Sequence, residues 1–282
     1  MSRILSIEIG FEHIAIIGGT KSGDGSFVLE HIHSSDLDYS VISLEADFVY
    51  KIADSVRPII SDWGGFDGCA ISLNMQSTFF KTQDSQLGLE QLEWEMTQIV
   101  GGSLSEYILS VPDITNSDIS VLIAMRKEKV EFTKQLADQL GIDLISIGLN
   151  LTNFQELVDA SGYEYENVIL LVMNQQVVEV ATIQSGVISQ AQMFIYENGL
   201  DLNDLNIHLR KLSDFMTMSG TPVEEIFVSG NAALRQETEH IANAVQVPVE
   251  IVEPFKSITL ADSVQEDENQ VRYSALIGGV LN

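Results

Sequence analysis

The sequence is short of positive charge, of cysteine and of long apolar runs, and each shortage removes a class of explanation. Fourteen Lys and Arg stand against 41 Asp and Glu in 282 residues, a formal charge of −27. Such a chain repels phosphodiester backbones and anionic lipid surfaces, so nucleic acid is excluded as a ligand. The lone cysteine, Cys69, has no partner for an internal disulfide and reads as a small buried hydrophobe within the strand-like run GCAISL. No run of about 18 apolar residues is present to cross a bilayer. Glu8 and Glu12 interrupt the apolar stretch that a signal peptide needs. A cytoplasmic protein without direct membrane insertion is the expectation. No linker rich in Pro, Gly or Ser divides the chain, so its parts should be rigidly joined, and 45% hydrophobic content suffices for two lobes with real cores.

Catalytic punctuation is also missing. There is no Gly-x-Ser-x-Gly elbow to support a Ser/His/Asp hydrolase. The run DWGGFDG (Asp62 to Gly68) is a Gly-rich turn without the lysine of a phosphate loop. His31 and His33 share one face of a strand, yet no third ligand accompanies them, so they read as a packed or solvated pair and no metal site is expected. The acidic run DSVQEDENQ (Asp262 to Gln270) reads as a solvated loop before a final helix, YSALIGGVL.

What is present is one structural pattern written twice. The β-rich runs Ile4 to Gly10, His13 to Gly19 and Ser26 to Ser34 form a meander, followed by an amphipathic helical stretch near Leu44 to Ser61. The second meander is Asn167 to Met173, Gln176 to Ile183 and Val187 to Ile195, with Ser185-Gly186 as a hairpin signal. A helix over Asp201 to Met218 follows, its Leu202, Leu205, Leu209, Leu212 and Met216 at three- and four-residue spacing. Then come the strand Glu225 to Gly230, a helix from Ala232 to Val245 and the strand Val247 to Val252. A tandem β-β-β-α-β-α-β order is the duplicated ribonuclease-H-like arrangement of the actin, sugar kinase and Hsp70 superfamily. The expected fold is thus α/β. Its first lobe is 1–148 with an inserted subdomain at about 76–116, and its second is 149–282, the final helix packing back on the first lobe.

Longer strings narrow the superfamily. LGLEQLEWEMTQIVGGSLSEYILSV from Leu87, VLIAMRKEKVEFTKQLADQLGIDLISIGLNLTNFQELVD, and VEEIFVSGNAALRQETEHIANAVQVPVEIVEPF resemble, in order and composition, the PilM family of actin-like type IV pilus assembly proteins, relatives of the division protein FtsA. Leu92-Glu93-Trp94-Glu95 resembles that family's Trp-Glu helix in the inserted subdomain, and Ala124 to Glu128 resembles the return to the first lobe.

The resemblance implies a nucleotide site between two hairpin tips, and here both tips depart from the pattern. The first keeps Gly10 and offers Glu8 as the acid, but Phe11 replaces a small hydroxyl residue, Glu12 adds negative charge, and Ala15 stands where a lysine would be. A phosphate about 5 Å from an unneutralised carboxylate is disfavoured by roughly 3 kcal/mol at an effective dielectric near 20. That is about a hundredfold in affinity. The second tip, Met173 to Gln176, supplies neither acid nor glycine, while Ser229-Gly230-Asn231 precedes a helix and could face a ribose or phosphate. Glu8, Gly10, Ser229, Gly230 and Asn231 are therefore a residual cofactor site, expected to hold Mg-ATP weakly if at all, with no catalytic residues. The resemblance further implies a non-catalytic scaffold held at the inner membrane by the N-terminal cytoplasmic peptide of a single-span partner resembling PilN. Phe79, Phe80, Leu92 and Trp94 are the candidates for gripping that peptide between the first lobe and the inserted subdomain. The alternative is a divergent actin-like ATPase that still binds or slowly hydrolyses ATP.

Overall fold

A computed structural model describes all residues except 12, 38–45, 85–88, 112–118, 234, 265–269 and 282. Glu12 and the centre of the acidic run before the last helix thus lie outside the described residues. The chain begins with the meander β1 (Ser2–Ile9), β2 (His13–Lys21) and β3 (Phe27–Asp36), then α1 (Ala46–Trp63) and β4 (Gly68–Leu73). Next come β5 (Thr78–Asp84), α2 (Leu89–Val100), β6 (Tyr107–Ser110) and β7 (Ile119–Arg126), and the chain returns through α3 (Lys127–Leu140), β8 (Leu144–Leu149) and α4 (Asn150–Ala160). The second half repeats the plan with β9 (Asn167–Met173), β10 (Val177–Gln184), β11 (Val187–Ile195), α5 (Leu202–Met218), β12 (Glu225–Ser229), α6 (Arg235–Val245) and β13 (Val249–Ile251). The short β14 (Thr259–Leu260) and α7 (Ser274–Leu281) close the chain.

The duplication is visible in the pairing. One sheet runs β14-β3-β2-β1-β4-β8 and the other β11-β10-β9-β12-β13, so in each half an antiparallel meander continues into two parallel strands. Every residue of β4 and all but the first of β9 are buried, as expected of strands covered on both faces. A third sheet, β5-β7-β6, takes in residues up to Arg126 and so extends past residue 116, because β7 pairs along its length with β5. Its edge strand β5 leans on β11, where Thr82 Oγ1 donates to Ser189 O at 3.4 Å.

The core that joins the halves is built around α4 and α7, whose Phe154, Leu157, Leu276 and Ile277 are fully buried in one cluster with Ile17 of β2 and Leu170 of β9. Helix α7 crosses α4 and lies against β1 and β4, with Ser6 Oγ donating to Leu276 O at 3.2 Å. The glycine pair Gly278-Gly279 makes the crossing close, and a Cβ on Gly278 would fall on the Asn153 carbonyl. Helix α6 starts at Arg235 rather than Ala232, since the amides just before it bond back to the second hairpin.

Candidate functional site

The two hairpin tips and the loop after β12 meet at a cleft of about 200 Å³. Its first-lobe wall includes Phe11, His13 and Leu37 with Asp36, and its second-lobe wall is a row of carboxamides, Asn174, Gln175, Gln176 and Asn231. Among the described residues no Lys or Arg lines it and the one charged wall residue is an acid, Asp36, so these walls offer nothing to neutralise a polyphosphate.

The first tip is filled from within. Gly10 N donates to His13 O at 2.9 Å, closing the turn, and the His13 ring folds over Gly10 so tightly that a Cβ there would lie 2.7 Å from Nε2 and nearer still to Cε1 and Nδ1. Beneath the ring Glu8 is 2% exposed, its Oε1 3.6 Å from His13 Nε2 and its Oε2 without a hydrogen-bond partner. Glu8 is therefore a buried group under the tip and does not line the cleft. Across the cleft, Gly230 (φ +101) presses on the Met173 backbone, and the amides that would greet a phosphate are spent on the protein. Gly230 N donates to Val271 O, Asn231 N to Asn174 Oδ1 at 3.2 Å and Ala232 N to Met173 O at 3.0 Å, while Ser229 is buried in β12. Of the five residual-site residues, only Asn231 faces the cavity.

Behind the cleft lies a polar junction that sequence reasoning did not single out. Glu179 of β10 is 1% exposed and reaches from the second sheet into the first lobe. Met75 N donates to its Oε1 at 2.5 Å and Asn150 Nδ2 to its Oε2 at 3.0 Å. Asn150 Oδ1 accepts from Ser72 Oγ at 2.7 Å, and that hydroxyl accepts from Asn153 Nδ2 at 3.1 Å. Buried Lys129, at the start of α3, donates to Asn74 O at 2.7 Å. Loss of hydration pushes Glu179 up to about 7, aided by the like charge of Glu8 and opposed by the Met75 and Asn150 donors and by Lys129. Loss of hydration also lowers Lys129, to about 8, against the pull of Glu179.

Next to the junction, lined in part by α3 and α4, is an apolar groove of about 270 Å³. It runs from Ile108 of β6 and Ile123 and Met125 of β7, past Val130 of α3, to Ile147 and Leu149 of β8, with Thr152 at one end. β6 and β8 are terminal strands of their sheets, so each has an edge without a strand partner among the described residues. Apolar side chains stand exposed along them, Ile108 at 39%, Val111 at 45% and Ile145 at 55%. Three of the four peptide candidates from the sequence do not line this groove. Phe79 packs edge-on against Tyr107 in the core of the third sheet, Phe80 packs on the central core, and Trp94 stands 64% exposed on α2. The Leu92 side chain lies outside the described residues.

Remaining singled-out residues have structural places. His31 stacks on Trp63 at 5.0 Å, and burial lowers the proton affinity of both His31 and His33. Cys69 is buried in β4, its thiol pushed up to about 12 by desolvation and by Asp143. Among the described residues no three His, Cys, Asp or Glu side chains gather as a metal site, and no helix is long and apolar enough to cross a membrane.

Two duplicated sheets facing one another across such a cleft, with the last helix wedged between them, constitute the actin-like ATPase fold. The solved structure of a PilM–PilN type IV pilus biogenesis complex is similar to the chain over 99% of its length and 97% of that protein's, with a TM-score of 0.79 at 14% identity. The cytoplasmic domain of EpsL, an inner-membrane component of the Vibrio cholerae type II secretion system, is similar over 99% and 95% at a TM-score of 0.56 and 9% identity. A Bacteroides thetaiotaomicron protein with an actin-like ATPase fold and unknown function matches over 98% and 95% at 0.57 and 8% identity. No protein-family model and no curated protein matches the sequence.

Proposed function

We propose that the protein is a non-catalytic actin-like scaffold, an adaptor of a type IV pilus or related secretion assembly platform. It binds the short cytoplasmic peptide of an inner-membrane partner resembling PilN. The observation that carries this reading is the pairing of a plugged cleft with an open apolar groove. Among the described residues the cleft offers a phosphate no cation, and the amides of Gly10 and Gly230 are already bonded to backbone carbonyls. The groove offers an extended segment apolar side chains and two strand edges, which is what strand addition with alternating side-chain pockets requires. Similarity to the protein of the PilM–PilN complex supports the same assignment. On this reading the protein is cytoplasmic and reaches the inner membrane only through its partner. The net charge of −27 suits it to the Lys- and Arg-rich cytoplasmic flank of a membrane span.

The test is fluorescence anisotropy with a labelled synthetic peptide, the N-terminal cytoplasmic segment of a single-span inner-membrane protein resembling PilN. Micromolar or tighter binding, weakened at least about tenfold by Ile108→Asp because a carboxylate would be buried against the apolar strand, supports the reading. Binding indifferent to Ile108→Asp would place the peptide elsewhere, and no binding would remove the adaptor function.

A further inference from the structure

The groove and the polar junction are neighbours that share elements. Lys129 belongs to the junction and its neighbour Val130 to the groove. Asn150 and Asn153 belong to the junction, while Leu149 and Thr152 line the groove. The only side chain of the second sheet that bonds to both the β4–β5 turn and the start of α4, among the described residues, is Glu179.

Resting on the groove reading above, we propose that Glu179 is a positioning residue for the partner groove. Its carboxylate, extended from the second lobe, fixes the β4–β5 turn and the β8–α4 corner, and thereby sets the spacing of the strand edges between which the partner peptide lies. The lobe junction and the groove are then one cooperative unit, and whatever opens the junction disorders the groove.

The linkage has a definite sign. The charged groups facing Glu179 are Lys129 from α3 and Glu8 from β1, the latter beside His13 of β2. A carboxyl that titrates near 7 in the closed junction, against 4.5 once it meets water, gives up its proton on opening. Opening is thus favoured as pH rises, by about tenfold between pH 6 and 8. Lys129, near 8 when closed against 10.5 in water, takes up a proton on opening and opposes this by about twofold. A net rise of about fivefold remains.

Hydrogen exchange of the whole chain, corrected for the intrinsic rate, reads this out without any peptide, so its failure and that of the partner reading are separate results. In the wild type, amides of residues 123–130 and 144–152 are expected to open about fivefold more often at pH 8 than at pH 6, with α5 unchanged. In Glu179→Gln, which keeps the Met75 acceptor and removes the charge, the same amides should open about twofold less often at pH 8 than at pH 6. An equal rise in both proteins would overturn the proposal. So would a wild-type rise confined to residues 74–76 and 177–181, which would make Glu179 a local support only. The wild-type series decides the matter even if the variant does not fold.

Discussion

Replacing Gly278 with alanine tests whether the closeness of α7 and α4 holds the halves together. The added Cβ would stand 2.5 Å from the Asn153 carbonyl carbon and closer to its oxygen, whereas ordinary contact begins near 3.4 Å. Backbone cannot rotate away, so the helices must part by about 1 Å or more. A gap of 0.5–1 Å forfeits roughly a quarter to a half of each dispersion contact across it. The contacts at risk are those of the buried Phe154, Leu157, Leu276 and Ile277. Overpacking costs about 1–3 kcal/mol and the lost contacts add to it, while alanine returns about 1 kcal/mol of helix propensity. The net expectation is a loss of about 2–3 kcal/mol, or about 0.7–1 M in urea midpoint for a slope near 3 kcal/mol/M. Gly279→Ala is the milder comparison, because its Cβ would meet the end of the Asn153 side chain at 2.9 Å, straining only the Asn153–Ser72 hydrogen bond and no backbone carbonyl. Its midpoint should move by no more than about 0.3 M. Equal midpoints for the two variants would refute the argument that close backbone approach is what Gly278 supplies.

Millimolar Mg-ATP or Mg-ADP should move the thermal midpoint by less than about 1 °C; a ligand present at 100 times its Kd would add about 2.7 kcal/mol, so a rise of several degrees would restore the ATPase alternative. Urea stability should fall as pH rises from about 5 to 7.5, because Glu179 holds its proton more firmly folded than unfolded, and recover above pH 8 as Lys129 loses its own. The swing from Glu179 is on the order of 2 kcal/mol, and a flat profile for the wild type, or an unchanged one for Glu179→Gln, would show the junction to be solvated. Cys69 should resist iodoacetamide at pH 8 in the native protein and react fully in urea, followed by mass spectrometry; rapid native labelling would contradict its burial.

Much of the fold was legible because it is written in short-range signals. Alternating and continuous apolar runs separated by glycine turns marked both meanders, and the leucine spacing from Leu202 to Met216 marked α5. The departures of the two hairpin tips, the missing lysine and glycines, are features of the string itself, and the cleft between those tips is lined by Asn174, Gln175, Gln176 and Asn231 on the second-lobe side. The arrangement of the cleft was not legible. His13 reads as an ordinary strand residue until the hairpin closes and lays its ring over Gly10. Glu179 reads as one polar member of an apolar strand, and its acceptor role appears only when Met75, 104 positions away, is brought to it. A groove between the first lobe and the inserted subdomain was expected, but its lining escaped for the same reason, being assembled from five separated elements, whereas the aromatics chosen from sequence were conspicuous singly: Phe79 is drawn into a core and Trp94 faces water on α2.

The ring folded over Gly10 also bears on history. An ancestor that clasped polyphosphates would have needed this tip empty, and restoring it demands more than taking the imidazole away. With His13 gone, Glu8 confronts the vacated space as a bare acid, so the first step back repels the phosphate it is meant to admit. Installing a lysine first finds the room already occupied. Neither order of single replacements makes room for a phosphate at this tip, so its closure would behave as a ratchet.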